Sequence, residues 1–239
     1  MRRRTLTTVA SLMLVGACGG NDNTGGSATT TISPQDVSVP LQTAVANEAN
    51  SGMSINFAIS GTVDNVPVSG SGTLTDTPAV ATTLKGVPVL ETTETVTDTI
   101  VQNGTSAQAS ETMKIFRDPN TFAEVSEDRG GPVVDFPPYT IPASVKPGDG
   151  GVLVIGKLSS DDSRTTQIGT VQIAFSVAAN TSDSVLVTFS ETDLDNNNVQ
   201  TAEDDRTFEV DSKGKPKHVK DKVKGKHNGH QEDVEEDDD

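Results

Sequence analysis

Asp193, Asp195, Asn197 and Asp204 are the residues whose spacing comes nearest to a chemical motif. In "DLDNNNVQTAED" they fill positions one, three, five and twelve of a twelve-residue calcium loop, all with the oxygen donors a hard cation requires. Asn198 stands where such a loop has its turn glycine, Asp204 is shorter than the usual Glu, and the flanks have strand patterning rather than helical. The competing reading is a polar hairpin loop whose oxygens serve their own backbone. Other reactive types are sparse. The three histidines, His218, His227 and His230, lie at or beyond the last hairpin signal, and Cys18 is the single cysteine. The body of the chain therefore offers no histidine base, no thiol nucleophile and no His/Cys metal cluster. Its carboxylates are too numerous for spacing to select a catalytic pair. A non-catalytic protein is expected, with Ca²⁺ at the Asp/Asn loop the one cofactor to consider and His227 with His230 a further transition-metal pair.

Cys18 has a context of its own. It closes Val15-Gly16-Ala17-Cys18, after Arg2, Arg3 and Arg4 and an apolar segment over residues 5–17. That segment is shorter than the ~20 residues a membrane-spanning helix needs. Over residues 1–20 alone, the arrangement resembles the lipobox of bacterial lipoproteins. The resemblance implies cleavage after Ala17, a diacylglyceryl group on the Cys18 thiol and an acylated N-terminus. Gly19, where an aspartate would otherwise follow, is similar to the outer-membrane-sorted kind. Two or more acyl chains hold a protein stably, at about 0.8 kcal/mol per buried CH₂. Residues 1–17 are thus expected to be a signal peptide, and 18–37 the acylated cysteine with a Gly/Asn/Ser/Thr tether. Some fifteen such residues reach roughly 20 Å.

Charge narrows the partners. The chain carries 18 Lys and Arg against 34 Asp and Glu, a net −16; without the signal segment it carries 15 against 34, a net −19. Such a surface repels nucleic acid and anionic headgroups, so the membrane is a partner through lipid alone.

Behind these residues stands an all-β pattern. Only 33% of the chain is hydrophobic and 3% aromatic, and its Val, Ile and Leu interleave with Thr and Ser, which suits half-buried strands. One short helix is expected over residues 38–52, ended by Asn50-Ser51-Gly52. Asp64-Asn65, Asp118-Pro119-Asn120 and Asp211-Ser212-Lys213-Gly214 mark hairpins. The longest strand candidate puts Thr93, Thr95 and Thr97 on one face and Leu90, Val96 and Ile100 on the other. Pro132, Pro137, Pro138, Pro142 and Pro147 make residues 129–149 an extended crossover rather than a central strand.

The expected fold is an antiparallel meander, sandwich or curved sheet over residues 38–220. Similar motifs about 90 residues apart also suggest two like halves, 38–128 and 150–220. Seven lysines over 213–226 precede seven acids over 232–239, and residues 221–239 read as a disordered polyampholyte tail. The functional expectation is a lipid-anchored cell-envelope binding, adhesive or structural module. The alternative is a carrier whose curved strands enclose a cavity for a hydrophobic ligand.

Overall fold

The computed structural model describes residues 33–227 and 230–238. Residues 1–32, on which the expected signal peptide, the expected acylation of Cys18 and most of the expected tether fall, lie outside the described residues. One helix, α1 (Leu41–Ser51), precedes β1 (Met53–Val63), β2 (Val66–Asp76), β3 (Val80–Leu84), β4 (Val87–Gln102), β5 (Thr105–Arg117) and β6 (Glu124–Asp128). Then come β7 (Val133–Asp135), β8 (Gly150–Ser159), β9 (Gln167–Ala179), β10 (Ser184–Asp195), β11 (Gln200–Asp211), β12 (Pro216–His227) and β13 (His230–Asp238). All pairings are antiparallel, and β13 returns to pair with β1, Phe57 opposite Asp238 through Val63 opposite Glu232. Twelve strands close into a barrel, with β3 as one extra strand.

β3 continues the ladder that β2 makes with β4. Asp76 pairs with Glu94 and Val80 with Glu91, so the two segments are one strand interrupted at Thr77-Pro78-Ala79. Proline lacks the ladder donor, and the freed backbone finds other partners: Thr77 N donates to Thr93 O, and Ala79 N to Ala49 O at the end of α1.

The expected hairpins form. Asp64 and Asn65 both take positive φ, as do Lys85-Gly86 and Asn103-Gly104, which matches the strand twist in two-residue turns. At the other type of turn, Asp118 Oδ1 accepts from Asn120 N and Thr121 N, and Asp211 Oδ1 accepts from Lys213 N and Lys215 N.

α1 lies over one end of the barrel. Val37, Val39, Leu41 and Ala44 pack there against Ile141, Val145, Val185, Val187, Phe208 and Val210. Asn47 Nδ2 donates to Gly214 O at 2.8 Å, and Val39 forms a bridge to Val145. Ring-on-glycine contacts fill the wall elsewhere: Phe57 lies over Gly72 and Phe136 over Gly156, so neither glycine has room for a Cβ.

Three expectations change. The expected antiparallel meander closes on itself into one wall and does not fold into a sandwich. The Pro-rich crossover contributes β7, three residues fitted between Pro132 and Pro137. The segment expected to be a disordered tail is instead strand: it comprises most of β12 and all of β13. Its lysines alternate. Lys220, Lys222 and Lys224 face Asp237, Glu235 and Asp233 on one side, and Lys222 and Lys224 face Asp205 and Glu203 on the other. Val223 and Val234 pair on the opposite, inward face, where Val234 is fully buried.

The outward positions of β2 and β4 are hydroxyl-rich, with Ser69, Ser71, Thr73, Thr95 and Thr97 among them.

Candidate functional site

Along β10 the inward series reads Val185, Val187, Phe189, Glu191, Asp193; along β11 it reads Val210, Phe208, Arg206, Asp204. Along these two strands the interior therefore passes from apolar to charged side chains. It encloses a cavity of about 600 Å³. Phe122, Tyr139, Phe189 and Phe208 line it, half of the eight aromatic side chains in the chain. Phe189 and Phe208 meet edge to face, ring centres 6.5 Å apart.

Three arginines project into this space, each on carboxylates. Arg206 Nη1 donates to Glu94 Oε2 at 2.7 Å and its Nε to Asp221 Oδ1 at 3.3 Å. Arg129 bonds Glu127, Glu191 (2.6 Å) and Asp193 (3.1 Å). Arg117 bonds Thr92 Oγ1 and Glu124. Glu94, Glu124, Glu127, Glu191 and Asp221 thus border the cavity on these guanidinium groups.

Burial shows in titration. Burial, then the neighbouring Glu94 charge, pushes Asp76 up to about 8, although Arg206 and Arg117 pull the other way. Burial also raises Glu124, outweighing Arg117. The Tyr139 hydroxyl accepts from Glu124 N at 3.1 Å, and burial holds its pKa up as well.

His218, one of the histidines expected outside the body, is buried within the wall between two acids. Nε2 is 2.9 Å from Asp221 and Nδ1 is 2.7 Å from Asp238. Burial opposes its charge, but the bonds and charge of Asp221 prevail and raise its pKa. Asp221 is likewise lowered against its burial by Arg206 and His218. A chain of opposite charges, Asp238–His218–Asp221–Arg206–Glu94, thus crosses the barrel.

The cavity meets an incomplete stretch of wall. β6 pairs with β5 only along Lys114–Arg117, so Thr105–Met113 has β4 on one side and no strand on the other among the described residues. Ser110 to Met113 line the cavity on one bank of this gap, and Arg129 with Gly130 on the other.

The calcium candidates do not converge. Asp193 sits on Arg129, whereas Asp195 accepts from Asn197 N and Val199 N in its own turn, which lowers its pKa. Asn197 N thus serves that turn, and Asp204 lies on β11 opposite Glu191. Among the described residues no group of three potential ligands gathers around one point. The side chains of His227 and His230, like Cys18, fall outside the described residues.

Sequence reasoning missed Arg117, Arg129, Arg206 and His218. The available signal for His218 was the two-residue alternation of "KHVKDKVKGK", which marks a strand with a facing interior. No protein-family model, no curated protein and no solved structure matches this chain.

Proposed function

We propose that this protein binds a small molecule with an apolar portion inside its barrel, as a carrier or binding protein held by acyl chains at the bacterial envelope. The cavity under α1 supports the binding part most directly. Its volume lies in the range of ordinary ligand sites, and a chain poor in aromatics spends half of them on its walls. The gap beside β5 supplies a way in. The lipobox-like segment around Cys18 supports the anchoring part, and the poverty of accessible nucleophiles and bases supports a role without catalysis.

The experiment is fluorescence titration with phenylnaphthylamine, a neutral apolar probe, on tag-free protein. Saturable enhancement is expected, and Ala202→Trp, which narrows the cavity, abolishes it while the unfolding transition is kept. No enhancement, or equal enhancement in the variant, overturns the reading. Mass spectrometry of the native protein, expected to begin at an acylated Cys18, tests the anchor separately.

A second reading, surface contact, draws on the outward hydroxyls of β4 and β5. Thr97 and Ser110 hydrogen-bond across the strands at 2.9 Å, and Thr95 and Thr112 at 3.4 Å. Loss of cell-surface or partner attachment in Thr95→Lys/Thr97→Lys, with probe binding intact, would favour it.

A further inference from the structure

We propose that the open edge of β5 docks a second copy of this chain, the two β5 strands pairing antiparallel about a two-fold axis at Gln108. This goes beyond interior binding and does not depend on it.

The edge has a defined orientation. β4 pairs with β5 along its whole length, from Leu90–Arg117 to Gln102–Thr105, whereas β6 reaches only Lys114–Arg117. Asn103 and Gly104, both at positive φ, form the two-residue turn, so Gln102 and Thr105 are the hydrogen-bonded pair that closes it. From there the backbone alternates. Thr105, Ala107 and Ala109 turn their N–H and C=O groups to β4, and Ser106, Gln108 and Ser110 turn theirs to the gap. The Thr112 carbonyl oxygen, next in that second series, faces Gly130 on the far bank.

Nothing guards this edge. Such strands are ordinarily blunted by lysine, proline, a bulge or a covering segment. Thr105–Ser110 holds no charged residue and no proline, pairs with β4 without a bulge, and is exposed on both faces. Among the described residues no strand pairs with it on the gap side.

What fits the edge is its own sequence. Ser106-Ala107-Gln108-Ala109-Ser110 reads the same in both directions. A two-fold axis at Gln108 therefore sets like on like: Gln108 opposite Gln108, Ser106 opposite Ser110 and Ala107 opposite Ala109 of the other copy. The pairs made by Ser106, Gln108 and Ser110 each exchange two backbone hydrogen bonds, because these residues face the gap. Charge selects the same occupant. The chain carries a net −16, so two copies repel where their acidic surfaces meet, and this uncharged strip is where they can touch.

The test is sedimentation equilibrium of the 239-residue chain carrying Cys18→Ser, which takes no acyl group and leaves no native thiol. A reversible dimer is expected. Gln108→Pro removes an N–H that faces the gap rather than β4. It is expected to weaken the dimer about ten-fold or more while the far-ultraviolet spectrum of the barrel is kept. Single cysteines in the same background read the register. Gln108→Cys is expected to cross-link under mild oxidation, its Cα atoms about 5.5 Å apart across the axis. Ser106→Cys alone is expected not to, because its counterpart is Ser110, and Ser106→Cys/Ser110→Cys is expected to cross-link again. A monomer at every concentration overturns the proposal, whatever other chain takes the edge. So does a dimer indifferent to Gln108→Pro, or cross-linking at 106 alone as ready as at 108.

Discussion

Arg206 on β11 and Glu94 on β4 meet across the lumen at 2.7 Å, though β12, β13, β1 and β2 lie between their strands around the wall. The contact braces opposite sides of the barrel, with Asp221 on the near side sharing the guanidinium.

Arg206→Met leaves Glu94 and Asp221 as buried charges without their cation. Breaking such a group by removing one partner costs about 3 kcal/mol or more. Urea denaturation is expected to show that loss, and adding Glu94→Gln and Asp221→Asn to the same chain is expected to recover part of it. Equal stability of the single variant and the parent would remove the brace from the account.

Asp76 makes stability depend on pH. Its folded pKa of about 8 lies above its ordinary value of 3.8, so between those values the folded state holds a proton that the unfolded chain has released. Its contribution is present in acid and is lost as pH rises toward 8. His218, also raised, acts in the same direction: its contribution is full below the unfolded histidine value and falls as pH passes the folded one. Asp76→Asn is expected to match the parent near pH 4 and exceed it at pH 9, measured by thermal unfolding across that range.

Gly72→Ala sets a methyl group against the Phe57 ring and the Thr97 carbonyl oxygen, and Gly156→Ala sets one against Phe136. Overpacking of this kind costs about 1–3 kcal/mol. Combining Gly72→Ala with Phe57→Leu is expected to cost less than the sum of the two, which calorimetric melting reads directly.

A chain ending at residue 229 lacks β13 and therefore leaves the facing edges of β1 and β12 open. Loss of a single cooperative transition, and of dispersed amide resonances throughout the barrel, is expected. Retention of both would show that the acidic terminus is dispensable.

The helix, the hairpins at Asp64-Asn65, Asp118-Pro119-Asn120 and Asp211–Gly214, and the Thr-out alternation of β4 were legible because each depends on neighbours in sequence. Closure was not. It rests on Phe57 meeting Asp238, a pairing that no local pattern encodes. The lysines of β12 read as a solvated run because the acids that neutralise them lie on β11 and β13, ahead of and behind them in the chain. The interior was hidden for a related reason: Arg117, Arg129 and Arg206 are isolated in sequence, and an isolated arginine is ordinarily a surface residue. The Asp193–Asp204 spacing does not by itself say where the oxygens point: Asp193 turns inward to Arg129 while Asp195 holds its own turn.

The seam between the first and last strands also sets a timetable. Every other join in the wall links strands near in sequence, whereas this one waits for nearly the whole chain to be synthesised. Pairings so distant are slow, since the long loop must close before its contacts reward it. Until then the nascent chain has two unsealed rims and no enclosed space. A polypeptide of this design stays unsealed through most of its synthesis and acquires its inner chamber only at the last pairing.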